Sequence, residues 1–167
     1  MASILNVDKI RANGSTTDAL IVNSSGQVSL PKTPYAIVNL SADATLTPGA
    51  IVPFDNVVSS QGISWNTSTY LFTVPISGLY LFSGAVRLNA DRGFVYWQVF
   101  DSSGTAVQAN KLVLSQGYSG VGFTTAMGSC LLSLSAGTNY KILVYDNSAS
   151  SVVCAGSQTY MDIVLIG

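Results

Sequence analysis

The chain has 167 residues, 48% of them hydrophobic and only 9% charged, with a formal net charge of −1. That length suits one domain with a short appendage, and a charged share so far below the usual figure of about 25% excludes a disordered chain and leaves a bare monomer poorly solvated. The seven basic residues are scattered, so no basic stripe captures nucleic acid; all eight acids are Asp and there is no His, which excludes Ser-His-Asp triads, His shuttles and most metallohydrolase sites and predicts a protein that is not an enzyme.

The opening residues, MASILNVDKIRANG, lack the apolar core of about 7–15 residues that a signal peptide carries. No run reaches the roughly 18 apolar residues of a membrane span, which predicts no membrane insertion. Residues 1–33 are polar, with short apolar clusters (Ile4-Leu5, Leu20-Ile21-Val22, Val28) between turn signals at Asn13-Gly14 and Ser24-Ser25-Gly26. Each cluster is too short to bury a face alone. Residues 1–33 therefore read as a thin β stalk or adaptor in which identical chains wind together, or as a disordered leader.

Residues 34–167 read as all-β, with strands A 35–41, B 69–74, C 79–89, D 94–100, E 105–114, F 121–134, G 138–145 and H 158–166, and short edge strands near 50–53 and 63–66. Between them lie apt turns: Pro-Ile-Ser-Gly at 75–78, Asp-Ser-Ser-Gly at 101–104 and Ser-Ala-Gly-Thr at 135–138. Pro75 presets its own φ, and Gly78 can take a positive φ without a Cβ clash. Strand C alternates: Tyr80, Phe82, Val86 and Leu88 share one face with Gly84. Strands D and H are apolar on both faces. Phe94, Tyr96 and Phe100 oppose Val95, Trp97 and Val99; Met161, Ile163 and Leu165 oppose Tyr160, Val164 and Ile166. A strand apolar on both faces must be covered on both. The cover is a second copy of the chain or the long segment 42–62. For the first case Val95, Trp97, Val99, Tyr160, Val164 and Ile166 are the candidate interface residues. Cys130 and Cys154 have neither metal nor redox spacing and read as reduced thiols, with a disulfide left open.

The aromatic ladder Phe54, Trp65, Phe72, Gly78, Tyr80 and Phe82, with Pro75 and the local form Trp65-Asn66-Thr67-Ser68-Thr69, resembles the signature of the complement C1q globular head, a jelly roll shared with the tumour necrosis factor superfamily. Leu132-Ser133-Leu134, Gly137 and Tyr140-Lys141-Ile142 are similar to its F–G strand pair, and IVLIG to its closing strand. Two positions depart: Ser60 stands where the family usually has Asn or Asp, and Gly84 where it usually has an aromatic. The resemblance covers about 34–167. It implies an antiparallel jelly-roll β-sandwich of about ten strands that assembles as a homotrimer, with Pro75–Gly78 at its base. The leader lacks the Gly-X-Y repeat of the animal relatives. Its form VDKIRANGSTTDALIVNSSGQVSLP is similar to N-terminal segments of bacteriophage fibre and virion proteins. This implies a virion protein attached through 1–33 to other virion proteins.

In such a fold consecutive strands reverse, so the A–B, C–D, E–F and G–H connections gather at the end far from the leader. These are the longer loops: 42–62, Asn89–Gly93, Ser115–Gly120 and Asp146–Ser157. Within them Asp91, Arg92, Gln116, Tyr118 and Asn147 are the groups able to hold a polar ligand such as a glycan, or else they solvate loop ends. Asp91-Arg92 reads as a loop ion pair. The loop Asp residues are isolated, which predicts no required metal and no cofactor. The expected function is a fibre tip that recognises host surface polysaccharide, or a capsid decoration or tail-adaptor protein of the same fold without a receptor role.

Overall fold

The computed structural model describes residues 9–10, 20–30, 32–116, 120–148 and 150–167, and the chain divides into two compact units, Met1–Thr33 and Pro34–Gly167. In the first unit β1 (Lys9–Ile10), β2 (Leu20–Val22) and β3 (Val28–Ser29) form a small antiparallel sheet in that order. Asn23 closes the β2–β3 turn: its Oδ1 accepts the N–H groups of Ser25 and Gln27, and Gly26 supplies the positive φ of 78°. None of the described side chains of this unit is buried, as short strands without a second layer require. The Ile4-Leu5 cluster and the Asn13-Gly14 turn lie outside the described residues.

The second unit is a sandwich. Its strands are β4 (Tyr35–Asn39), β5 (Ala44–Leu46), β6 (Ala50–Ile51), β7 (Asn56–Gln61), β8 (Ser64–Asn66), β9 (Leu71–Thr73), β10 (Gly78–Leu88), β11 (Phe94–Asp101), β12 (Leu112–Gln116), β13 (Thr124–Leu134), β14 (Asn139–Asp146), β15 (Val152–Cys154) and β16 (Tyr160–Leu165), with a 3-10 turn at Gly156–Gln158. Sheet one runs β13-β10-β16-β4-β7, with β15 and β5 continuing beyond the tip of β10. Sheet two runs β12-β11-β14-β9-β8, with β6 against β14. All pairings are antiparallel, and this is the expected jelly roll. No helix among the described residues is long and apolar enough to cross a membrane.

The aromatic ladder is one cluster between the sheets. Phe72 stands 5.0 Å from Trp65 in a parallel stack, 5.6 Å from Tyr140 and 6.0 Å from Phe82, centroid to centroid. The Trp65 indole N–H donates to the Phe54 carbonyl at 3.0 Å, which lets Trp65 border the core without an orphaned donor. Tyr80, Phe82, Val86 and Leu88 all point into this core, and burying each of the aromatics contributes roughly 1.5–3 kcal/mol.

Both glycines of β10 answer to close approach. Gly78 does not use its freedom to adopt a positive φ. Instead a Cβ there would lie 2.6 Å from the Gly167 carbonyl oxygen, because the chain's last residue closes over the turn. At Gly84 a Cβ would lie 2.4 Å from the Tyr160 carbonyl oxygen and 2.9 Å from Met161 Cε. The Met161 side chain thus fills the space beside the position where the family usually has an aromatic, and that departure leaves the fold intact.

Three strands, β5, β7 and β15, were not expected from the sequence, and strand E is displaced: β12 begins at Leu112 rather than near 105. The preceding segment crosses the end of β11, where Gln98 Nε2 donates to the carbonyls of Gln108 and Ala109, each at 3.1 Å. The assignment of faces on strand D is also corrected. Val95, Trp97 and Val99 are fully buried in the protomer's own core and have no surface to give to another copy. The reason lies in the partner strand. Trp97 opposes Val144 and Val99 opposes Ile142, whereas Phe100 opposes Lys141. Directly opposed residues share a face: Val144 and Ile142 are core residues, and the one charge on their row, Asp146 opposite Val95, is neutralised by Arg92, whereas Lys141 lies on the other row with Phe94, Tyr96 and Phe100.

Candidate interfaces and the distal loops

The far loops do meet, and polar side chains hold them. Asp91 grips the β12–β13 connection: its two carboxylate oxygens accept the N–H groups of Gly120 at 2.8 Å and Gly122 at 2.6 Å. Arg92 Nε donates to Asp146 Oδ2 at 2.7 Å, and the Asp146 side chain is only 1% exposed. Asp91-Arg92 is therefore not the ion pair the sequence suggested; Arg92 pairs with Asp146 across 54 residues. Asn147 Oδ1 accepts the Gly93 N–H at 2.9 Å, and Thr124 Oγ1 accepts the Arg92 N–H at 2.9 Å. Charge-assisted bonds of this kind fix three loops as a unit.

Of the candidate ligand residues, Asp91, Arg92 and Asn147 are thus brought together, and each is engaged by its own chain. Gln116 is exposed at the end of β12. It borders an apolar groove of about 320 Å³ with Phe94, Tyr96, Leu112 and Leu114. Tyr118 lies outside the described residues. Sequence reasoning passed over Val121 and Phe123, both exposed at this end. Arg87 lies over the Phe123 ring, 4.0 Å from its centroid, and also donates to Gln158. The signal was there in the apolar Val121-Gly122-Phe123, but it was read as the start of strand F.

At the near end the turns are held closer to home. Tyr80 Oη donates to the Ile76 carbonyl at 2.8 Å within the same turn, and one longer bond, across 59 residues, joins two of the turns: the Ala136 N–H donates to Ser77 Oγ at 2.9 Å. Asp101 accepts from Ser103 Oγ at 2.6 Å and from the Thr105 N–H at 2.9 Å, and these bonds hold its carboxyl below the usual carboxylate range.

The apolar surface gathers elsewhere. β12 and β13 are the last strands of their sheets and close one side of the sandwich together. Leu112, Leu114, Met127 and Leu131 stand exposed there, Met127 by 68%. A groove of about 590 Å³ leads from this edge onto the outer face of sheet one, lined by Leu81, Lys111, Leu112, Cys130, Leu131 and Ile166. Beyond it Tyr160, Val164 and Ile166 lie on the outer face of β16, with Ile37 beside them on β4. These residues adjoin one another along the edge and the outer face instead of standing singly. Cys130 and Cys154 are unpaired, and burial pushes the Cys130 thiol up to about 11, leaving it protonated and unreactive at neutral pH. Among the described residues no three metal-ligating side chains cluster.

A family model described as the C1q domain matches residues 37–160. No curated protein sequence matches the chain. Among solved structures, the Eiger tumour necrosis factor of S. frugiperda is similar over 81% of this chain and 94% of its own, with a TM-score of 0.63 at 11% identity. The globular domain of zebrafish complement 1qA is similar over 81% and 98%, with a TM-score of 0.61 at 14% identity. Murine APRIL is similar over 81% and 100%, with a TM-score of 0.59 at 12% identity. At these identities the likeness is one of fold.

Proposed function

The chain belongs to the C1q domain family, and on that premise we propose that it is a non-enzymatic, homotrimeric head of a bacteriophage virion, a fibre tip that recognises a host surface glycan. The observation that carries this reading is the apolar belt running from the β12–β13 edge onto the outer face of sheet one, uncovered in a single chain. Covering it with further copies removes from water the surface that so few charges leave poorly solvated. Residues 1–33 attach the head to other virion proteins. The protein is made in the host cytoplasm and reaches the outside by lysis.

The distal loops support the receptor role. Their described residues are stapled by Asp91, Arg92 and Asn147, and groups held in place before a ligand arrives lower the entropy cost of binding. In this reading those three residues position the loops, and contact falls to neighbours such as Gln116, Val121 and Phe123. A second reading, a capsid decoration or tail-adaptor protein of the same fold, is favoured by that same engagement, since it leaves few charged groups free to take a ligand. Light scattering on the full chain tests assembly: the wild type is expected as a trimer, and Met127→Asp with Leu131→Asp as a monomer. Retention on host cells but not on isolated capsids supports the fibre tip, and the reverse supports the second reading.

A further inference from the structure

Five of the six described Asp residues of the second unit accept hydrogen bonds from their own chain. Asp43 takes the Gly156 N–H, Asp55 takes Ser41, and Asp91, Asp101 and Asp146 hold their loops as described above. Asp162 is the exception. It stands exposed on the outer face of β16 between Tyr160 and Val164, in the apolar belt, and among the described residues no group bonds to its carboxylate. Among the described residues the β12–β13 edge carries one cation, Lys111, exposed in the groove with Leu112 and Leu131, near the Cys130 thiol and in no ion pair.

These two charges lie at one level of the sandwich. Asp162 pairs with Ser83, and Ser83 pairs with Ser129, so Asp162, Ser83 and Ser129 form one rung across sheet one. Lys111 and that same Ser129 line one groove, which puts the lysine near the level of this rung. β16 and β13 are two strand spacings apart, about 10 Å, and no ion pair joins the two charges within the protomer. A threefold assembly is heterologous, with one patch of each copy meeting a different patch of the next. Rotation about an axis along the strands leaves every residue at its own height. An edge docked on a neighbour's face therefore brings together residues of the same rung.

We infer that, in the trimer proposed above, Lys111 of each copy forms an ion pair with Asp162 of the next, so that the β12–β13 edge of one protomer lies on the outer face of β16 of its neighbour. This rests on the trimer reading. A carboxylate covered by apolar surface without a cation is strongly unfavourable, so an interface that covers Asp162 must bring one. The other described cations of this unit are placed elsewhere: Arg87 is held by Gln158 and Phe123, Arg92 by Asp146, and Lys141 lies on the outer side of sheet two opposite Phe100.

Charge exchange on the full chain tests the pair, read as the concentration midpoint between trimer and monomer in a dilution series. Asp162→Lys and Lys111→Asp are each expected to raise the midpoint at least about tenfold, and the double exchange to return it to within about threefold of the wild type. Single exchanges without effect, or a double exchange as weak as the singles, overturn the pair while leaving the trimer standing. A monomeric wild type overturns the trimer and the pair with it. Should a reversed variant fold poorly, Asp162→Asn and Lys111→Gln give the same reading: the pair predicts that the double neutral variant is no weaker than either single, and additive losses refute it.

Discussion

The two ends of the sandwich are held in different ways. At the near end each of the turns 75–78, 101–105 and 135–138 is closed by side-chain bonds within a few residues, Tyr80 to Ile76, Thr105 to Asp101 and Tyr140 to Ser135, and only then tied to another turn by the Ala136 N–H on Ser77 Oγ. At the far end the loops are joined by side chains from distant parts of the chain, Asp91 to Gly120 across 29 residues and Arg92 to Asp146 across 54. Local turn chemistry needs only the right short sequence. A staple between loops needs the strands beneath it to be in register first. The near end is thus the end that can form early, and the far end the one whose order depends on the finished sandwich.

The sharpest way to break this contrast is Asp146→Ala. It leaves Arg92 largely buried without its carboxylate and removes the acceptor of the Ser148 N–H. The expected loss is about 3 kcal/mol in chemical denaturation, with amide exchange rising in the far loops and not at the near end. A loss spread evenly over both ends would mean that the staple is not local to the far end. Gly78→Ala probes the near end. The added Cβ would meet the Gly167 carbonyl oxygen at 2.6 Å and Leu165 Cδ1 at 2.7 Å; the tip of the Leu165 side chain can turn aside, whereas the Gly167 backbone, which accepts the Leu79 N–H, must shift. A smaller loss of roughly 1–2 kcal/mol is expected, with the far loops unchanged. The smallest effect is on pH dependence. Hydrogen bonds from Ser103 and Thr105 lower the Asp101 carboxyl in the folded state, so its contribution is complete above its unfolded value of about 4 and is lost as pH falls through the folded value. Asp101→Asn should therefore make the acid side of the stability curve slightly shallower, as followed by denaturation between neutral pH and about pH 3.

Much of the head was legible from residue patterns. Tyr80, Phe82, Val86 and Leu88 alternate with smaller or less buried neighbours, and a period of two with one aromatic-rich row allows a single inward face. β11 offered no such contrast. Phe94, Tyr96 and Phe100 are as apolar as Val95, Trp97 and Val99, and each row meets one charge of β14, Lys141 opposite Phe100 and Asp146 opposite Val95; the buried row is the one whose charge is paired, with Arg92. β5, β7 and β15 escaped notice because they are short or polar and exist as strands only through the partners that flank them: Ala44–Leu46 on Val152–Cys154, and Asn56–Gln61 on β4. The distal residues were partly legible. Loop parity put Asp91, Arg92 and Asn147 at one end, but a list of polar residues does not say whether they will meet a ligand or one another.

What this chain's sequence determined by itself is the class of structure and its inner aromatic row: few charges and no Glu argue against helix, turn residues recur between apolar runs, and the ladder from Phe54 to Phe82 has a spacing that only a folded sandwich can bury. What the tertiary structure alone decided is which apolar row is surface and which polar groups are free. Both depend on strand register. A one-residue shift exchanges the faces of every strand it touches and moves every cross-strand partner, so neither can be read from one strand at a time.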